Sequence, residues 1–211
     1  GYSKNAFPLG AVFESKDAFL VNKMAKEILY EEFLDNMISV IQQTTSENVD
    51  YTPLLKLAED LRNTKPNGRI VIDLFSQDKN DAIALREGDS LIIPEEQKHI
   101  FIYGEVSSEG AILHNLEKDL EYYINMSGGY RDQADKSAIY VLHPNGNTER
   151  FKKNRNIFAN QSKILKLNPG AVIFVPRKAD NSTMNRISAQ AYATILGNIG
   201  VTLASISALS D

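Results

Sequence analysis

Short runs of alternating apolar and polar residues, separated by turns rich in glycine, asparagine and proline, occupy positions 97–178. Such alternation predicts β-strands that are buried on one face. One stretch has helical spacing instead, with apolar residues at Leu116, Leu120, Tyr123 and Ile124. Asn115 is its expected N-cap, and Gly128-Gly129 its expected end. Two hairpins around one helix predict a β-grasp arrangement.

Helical periodicity takes over at about 15–65. The stretch 15–44 has an apolar stripe that comprises Val21, Met24, Ala25, Ile28, Tyr30, Phe33, Leu34, Met37, Ile38 and Ile41. A second helix is expected to begin at Thr52-Pro53, because proline is favoured in the first helical turn. Two interpretations of this helical hairpin stay open. It packs against its own β-rich core, or it forms a subunit contact in a ring.

The 24 residues from Ile187 to Ser210 contain no charged side chain. That length can span a bilayer, since about 20 helical residues cover about 30 Å. On a helix, the polar residues fall on one side: Gln190, Thr194, Asn198, Thr202 and Ser205. Large apolar residues fall on the opposite side: Tyr192, Ile195, Leu196, Ile199, Leu203 and Ile206. Small residues between them include Ala193, Gly197, Gly200 and Ala204.

These three sectors suit a helix that stands in a membrane-spanning ring. The apolar sector is expected to face lipid, the polar sector to line a water-filled pore, and the small residues to contact neighbouring helices. Two alternatives are a buried helix of a soluble domain and a helix that lies flat on a membrane. A flat helix usually carries lysine or arginine on its polar face, and a soluble one carries charges on its outer face. Neither feature is present here.

An internal repeat relates two parts of the chain. Gly1-Tyr2 and the following residues to Phe13 match the segment from Gly129, at an offset of 128 residues, and Leu85–Pro94 matches Leu167–Pro176 at an offset of 82. The repeat predicts part of a first unit at 1–96, with the helical insertion, and a complete second unit at 97–180. Residues 181–211 are expected to form a C-terminal membrane helix. We therefore expect the chain to begin inside its first unit, as a truncated or cleaved protein would.

Composition narrows the chemistry. The net charge of -4 disfavours a nucleic-acid surface, which needs clustered lysine and arginine. The absence of cysteine excludes disulfides and thiolate metal sites. His99, His114 and His143 have no partner at ligand spacing, and no phosphate-binding loop or nucleophile elbow occurs. We therefore expect no catalytic residue, no metal and no cofactor.

Several motifs are similar to those of known proteins. Gly104-Glu105-Val106, the helix end Ser127-Gly128-Gly129 and the closing strand Gly170–Pro176 resemble a soluble-ligand-binding β-grasp (SLBB) domain. The segments 7–13 and 67–74, on either side of the helical insertion, resemble the outer-membrane polysaccharide export family, the Wza-like and KpsD-like group.

The resemblance implies an α+β fold of tandem SLBB β-grasp units, the first partial and with a helical insertion, plus a C-terminal amphipathic transmembrane helix. It implies a homo-oligomeric ring in the outer membrane, with β-grasp domains in the periplasm, that exports a capsule polysaccharide or exopolysaccharide. Outer-membrane lipid and an inner-membrane export or co-polymerase machinery would be its partners.

Two other functions stay open. One is a periplasmic polysaccharide-binding or adaptor module without a pore, which would gain support if the C-terminal helix packed onto its own β-grasp domain. The other is a carbohydrate-active enzyme, which would need two carboxyl groups facing each other across a cleft.

Overall fold

The computed structural model describes residues 1–43, 51–72, 74–75, 84–151 and 167–178, together with Ser188, Ala191, Tyr192 and Ile195. Three α-helices and eight β-strands occur in these ranges, so the expected α+β class is confirmed. In chain order they are β1 (Val12–Glu14), α1 (Lys16–Gln43), α2 (Thr52–Asn63), β2 (Arg69–Ile70), β3 (Ser90–Ile92), β4 (His99–Gly104), β5 (Gly110–Leu113), α3 (Leu120–Met126), β6 (Ile139–Leu142), β7 (Thr148–Phe151) and β8 (Val172–Val175).

The strands form two sheets. The small sheet has the order β2-β1-β3, and the large sheet has the order β5-β4-β8-β6-β7. Strand β8 lies in the middle of the large sheet, parallel to β4 and antiparallel to β6. It therefore has hydrogen-bonded neighbours along both edges, and its residues Val172, Ile173 and Val175 are buried.

The internal repeat recurs in the pairing of the strands. Adding 128 to a β1 position and 82 to its β3 partner gives a pair of the large sheet in every case. Val12↔Ile92, Phe13↔Leu91 and Glu14↔Ser90 become Tyr140↔Phe174, Val141↔Ile173 and Leu142↔Val172. The isolated bridge Ala6↔Glu95 becomes Ala134↔Arg177 in the same way. The two segments therefore repeat a backbone arrangement as well as a sequence pattern.

Backbone hydrogen bonds outside the strands follow the same rule. The amide of Phe7 donates to the carbonyl oxygen of Pro94 at 2.8 Å, and the amide of Asp135 donates to that of Pro176 at 2.8 Å. A buried backbone amide without a hydrogen-bond partner is energetically costly. These two matching hydrogen bonds therefore fix the register in both copies of the repeat.

Helix α3 covers the inner face of the large sheet, which we define by Ile100, Ile102, Ile139, Val141, Ile173 and Val175. Tyr123 is fully buried there. Its hydroxyl accepts a hydrogen bond from the Asn115 amide at 2.9 Å and donates to the Asn115 carbonyl oxygen at 3.1 Å. A loop residue is thus tied to the core of this sheet.

The N-cap expected at Asn115 is wrong. The Asn115 side chain accepts a hydrogen bond from the Glu117 amide and so closes a local turn. Asp119 caps α3 instead, because its carboxylate accepts from the Tyr122 amide. Leu116 precedes the helix and is 85% exposed. The expected helix end is confirmed, since Gly128 and Gly129 both have positive φ angles.

The apolar stripe of α1 has two different environments. Phe33 and Met37 are buried in a cluster with side chains of α2, which include Leu54 and Leu61. Nearer the start of α1, the stripe is open to solvent, with Val21, Met24 and Ile28 64%, 64% and 55% exposed.

Arg69 joins the small sheet to the large one. Its guanidinium donates to the carbonyl oxygen of Pro144, at the turn between β6 and β7, at 2.7 Å. A side chain at Gly146 would collide with this guanidinium, so any residue other than glycine at this turn position would force neighbouring atoms to move. Burial lowers the pKa of Arg69 to about 10, and Glu14 acts in the opposite direction.

Candidate functional site

The C-terminal segment contains every site residue that the sequence predicts. Among its described positions, Ser188, Ala191, Tyr192 and Ile195 have helical backbone. Their spacing of three, four and seven residues places them on one face of a helix. The remaining lipid-facing candidates and all of the pore-lining and helix-contact candidates lie outside the described residues. Their roles stay predictions.

Tyr192 packs on the outer face of the large sheet, which we define by Phe101, Tyr140, Leu142, Val172 and Phe174. Its ring centroid lies 5.1 Å from that of Phe174 and 6.3 Å from that of Tyr140, with tilted planes in both pairs. Aromatic pairs at these separations stabilise a contact by about 0.5–1.5 kcal/mol beyond the burial of their area.

The two aromatic residues beneath Tyr192 are direct neighbours on β6 and β8, because Tyr140 pairs with Phe174. Tyr140 is 3% exposed, and its hydroxyl has no hydrogen-bond partner among the described residues. Burial raises its pKa; Arg150 opposes this shift and Asp135 adds to it. The contact with Tyr192 is therefore one of apolar packing.

Ala191 and Ile195 extend the contact to the helical hairpin. Ala191 is fully buried in the cluster that contains Phe33, Leu54 and Leu61, and Ile195 packs against its edge. Tyr192 belongs to both this cluster and the outer face. The C-terminal segment consequently connects α1 and α2 with the large sheet.

Tyr192 and Ile195, which the apolar pattern assigns to lipid, thus contact protein within this single chain. The pattern cannot separate the two environments, because lipid and an apolar sheet face both favour large apolar side chains. Packing of Ala191 and Tyr192 on their own chain is the arrangement that an adaptor module would have. No helix within the described parts of the chain combines the length and the apolar composition that crossing a bilayer requires.

Sequence reasoning missed Tyr140, Phe174 and Ala191 as contact residues. A signal was present in β6, where Ile139–Leu142 is a continuous apolar run and all four residues are buried. Such a run is typical of a strand that is covered on both faces. It could have indicated that another element covers the face opposite α3.

A pocket lies between the small sheet and the start of α1. This open pocket of about 520 Å³ has Phe13 and Ile70 among its apolar lining. Some of its polar groups already have partners. Arg86 pairs with Asp17, and Asn22 donates to the Asn67 carbonyl oxygen at 2.7 Å. Arg69 also lines the pocket, and its buried Nε and Nη1 have no hydrogen-bond partner among the described residues.

His143 is buried at the turn between β6 and β7. Its Nδ1 has no hydrogen-bond partner among the described residues, and its Nε2 lies 3.9 Å from a carboxylate oxygen of Glu149. Burial lowers the pKa of His143 below its ordinary 6.5, and Glu149 opposes this shift. The folded protein therefore favours the neutral imidazole.

We expect the free energy of unfolding to fall as the pH drops through about 6.5. The unfolded chain then takes up a proton at His143, while the folded chain resists it, so protonation favours unfolding. Denaturant titrations between pH 5 and 8 will measure the slope. His143→Phe should flatten it, whereas His99→Gln, at an exposed strand position, is the matched control. An unchanged slope in His143→Phe would contradict this assignment.

Groups of three or more histidine and carboxylate side chains that could hold a metal ion do not occur in the described part of the chain. The arrangement around Tyr192 can hold a chain segment in place. Burial raises the pKa of Tyr192 to about 12; Tyr140, Asp60 and Glu105 add to this shift, and Arg177 opposes it.

No protein-family model matches this chain. Two Escherichia coli proteins, both named polysialic acid transport protein KpsD, are each 27% identical to it over 85 residues. The matched region is 40% of this chain and 15% of either relative, so the chain spans a small part of their length. The similarity is to transport proteins of one bacterium.

Proposed function

We propose that this chain is part of a subunit of a channel that exports a capsule polysaccharide or exopolysaccharide across the outer membrane. The observation that carries the proposal is the similarity to polysialic acid transport proteins. On this proposal the protein conducts polymer and performs no catalysis. The inner-membrane export or co-polymerase machinery supplies the polymer.

The repeated backbone arrangement supports two tandem SLBB-type β-grasp units, and the proposed export function places these units in the periplasm. The first unit is represented by the small sheet and the second by the large sheet with α3. In both, the strand pairs and the bridge that precedes them are related by the same two offsets. A helical hairpin is inserted into the first unit.

The open part of the α1 stripe supports assembly of several copies. Val21, Met24 and Ile28 form a row at intervals of three and four residues, and all are more than half exposed. A contiguous exposed apolar row is typical of an interaction surface. In the proposed ring, this row contacts a neighbouring subunit.

The C-terminal segment completes the proposed channel. Neutral amides and hydroxyls at Gln190, Thr194, Asn198, Thr202 and Ser205 line the pore, where they offer a sugar polymer many weak hydrogen bonds. Lipid contacts the opposite sector, and small residues allow close helix approach. Assembly keeps the amides away from hydrocarbon, where an unpaired polar group is unfavourable.

Export can be tested in the organism that encodes the protein. Deletion of the gene should remove polymer from the cell surface while polymer still accumulates inside the envelope, and a plasmid copy should restore surface polymer. Antibody or lectin labelling of intact and permeabilised cells measures both pools. Normal surface polymer in the deletion strain, or loss of polymer synthesis itself, would contradict the proposal.

A second candidate function is a periplasmic polysaccharide-binding or adaptor module without a pore. The observation that favours it is the packing of Ala191 and Tyr192 against their own subunit. The two functions differ in how the chain is held at the membrane. An adaptor leaves outer-membrane fractions after a carbonate or high-salt wash, whereas a channel subunit leaves them only with detergent.

A further inference from the structure

We infer that the C-terminal segment has two mutually exclusive positions, docked on its own subunit through Ala191 and Tyr192 or inserted in the membrane, and that docking restrains insertion. This inference rests on the proposed function, since it requires that the segment enter a membrane.

The docked position is specific in its contacts. Tyr192 lies 5.1 Å from the Phe174 ring, and Ala191 is fully buried against residues of α1 and α2. Two separate elements, the outer face of the large sheet and the helical hairpin, therefore hold adjacent residues of the segment. A single loose contact would leave the neighbouring position exposed.

The same side chain cannot serve both positions. Tyr192 is in the sector expected to face lipid, yet in the docked position its ring lies on Tyr140 and Phe174 of the folded sheet. Insertion must therefore break both ring contacts. It also uncovers Tyr140, which is 3% exposed when the segment is docked.

Because the two positions exclude each other, the affinity of the chain for a membrane depends on the equilibrium between the docked and the undocked state. Only the undocked fraction can insert, so the apparent dissociation constant for a membrane is raised in inverse proportion to the undocked fraction. A change that weakens docking without touching the lipid-facing sector should strengthen membrane binding. Ordinary damage to a membrane protein has the opposite effect.

Phe174→Ala is the informative variant, because it removes one of the two rings beneath Tyr192 and lies outside the C-terminal segment. Binding of the full chain to vesicles of phosphatidylethanolamine and phosphatidylglycerol should strengthen by about tenfold. Phe151→Ala is the matched control. It shortens a half-buried phenylalanine of the same sheet that packs towards the inner face, and it should not strengthen vesicle binding.

A fluorescent reporter checks the docked position directly, since the chain contains no tryptophan. In Tyr192→Trp, the indole should emit at short wavelength and resist acrylamide quenching in buffer. Adding Phe174→Ala should increase the quenching. An indole at position 192 that is fully quenched in buffer would overturn the docked position, whether or not the variant binds vesicles.

The vesicle outcomes separate the inference from the proposed function. Stronger binding by Phe174→Ala than by the wild type and Phe151→Ala supports restrained insertion. Equal and measurable binding by all three overturns it and leaves the channel proposal standing. If none of the three binds vesicles, the channel proposal fails and the inference fails with it.

Discussion

Replacing Tyr192, Ile199 and Leu203 together by lysine will abolish membrane association of this chain. A lysine at the centre of a spanning helix costs about 3 kcal/mol, so three on the lipid-facing sector cost on the order of 9 kcal/mol. Flotation of the expressed variant with outer-membrane fractions measures the loss. A lysine at position 192 also breaks the contact with the sheet, and that effect by itself would favour insertion. A loss of membrane association therefore reports on the contact with lipid.

The matched control places lysine at Thr194, Asn198 and Thr202, in the sector expected to line the pore. These charges would lie in water, so the control should still float with membranes. Retained flotation of the lipid-sector variant would contradict the proposed orientation of the helix. Loss in both variants would favour a segment buried in protein on all sides.

Tyr123→Ala will destabilise the second unit by about 4 kcal/mol. Truncation of a fully buried aromatic residue costs about 3–5 kcal/mol, and the two hydrogen bonds to Asn115 are lost as well. We expect the melting temperature to fall by roughly 10 °C, because 1 kcal/mol corresponds to about 2–4 °C in a chain of this size. Calorimetry measures the shift.

Tyr122→Ala is the control for that variant. Tyr122 is half-buried, contacts the Tyr123 ring edge-on at 5.3 Å and carries Lys118 over its face. Its truncation should cost about 1 kcal/mol, since it removes one aromatic contact and one cation–π contact near the surface. Equal losses in the two variants would contradict the placement of Tyr123 at the centre of the inner-face core.

The repeat was predictable because it depends on the residue types of local turns and strands. Turn glycines such as Gly88 and Gly170 have positive φ angles, and the apolar runs after them have the same spacing. These features fix both strand pairing and register. Offsets read from the sequence therefore give the pairs Val12↔Ile92 and Tyr140↔Phe174.

The start of α3 was not predictable from the residue type alone. Asn115 and Asp119 are both good N-caps, and the choice depends on the hydrogen bonds that tie Asn115 to Tyr123 and Glu117. The turn at Glu117 is local, but the hydrogen bonds between Asn115 and Tyr123 form only when Tyr123 is buried in the folded protein. Tertiary contacts, which periodicity does not encode, decide such cases.

Docking of the C-terminal segment stayed one of the open alternatives for a different reason. A helical sector with Tyr192 and Ile195 is equally suited to lipid and to the outer face of the large sheet. The sequence pattern does not identify the surface that Tyr192 contacts, because it does not show that Tyr140 and Phe174 are neighbours on one face of the sheet. That juxtaposition requires β8 to lie beside β6, although 29 residues separate Leu142 from Val172 in the sequence.

Imaging of the full-length protein after extraction from outer membranes with detergent tests the central claim most directly. A subunit of a polysaccharide export channel will appear as closed rings with a central opening, and single-particle averages will show one symmetry. Uniform monomers, extracted under conditions that preserve other outer-membrane oligomers, would contradict a channel.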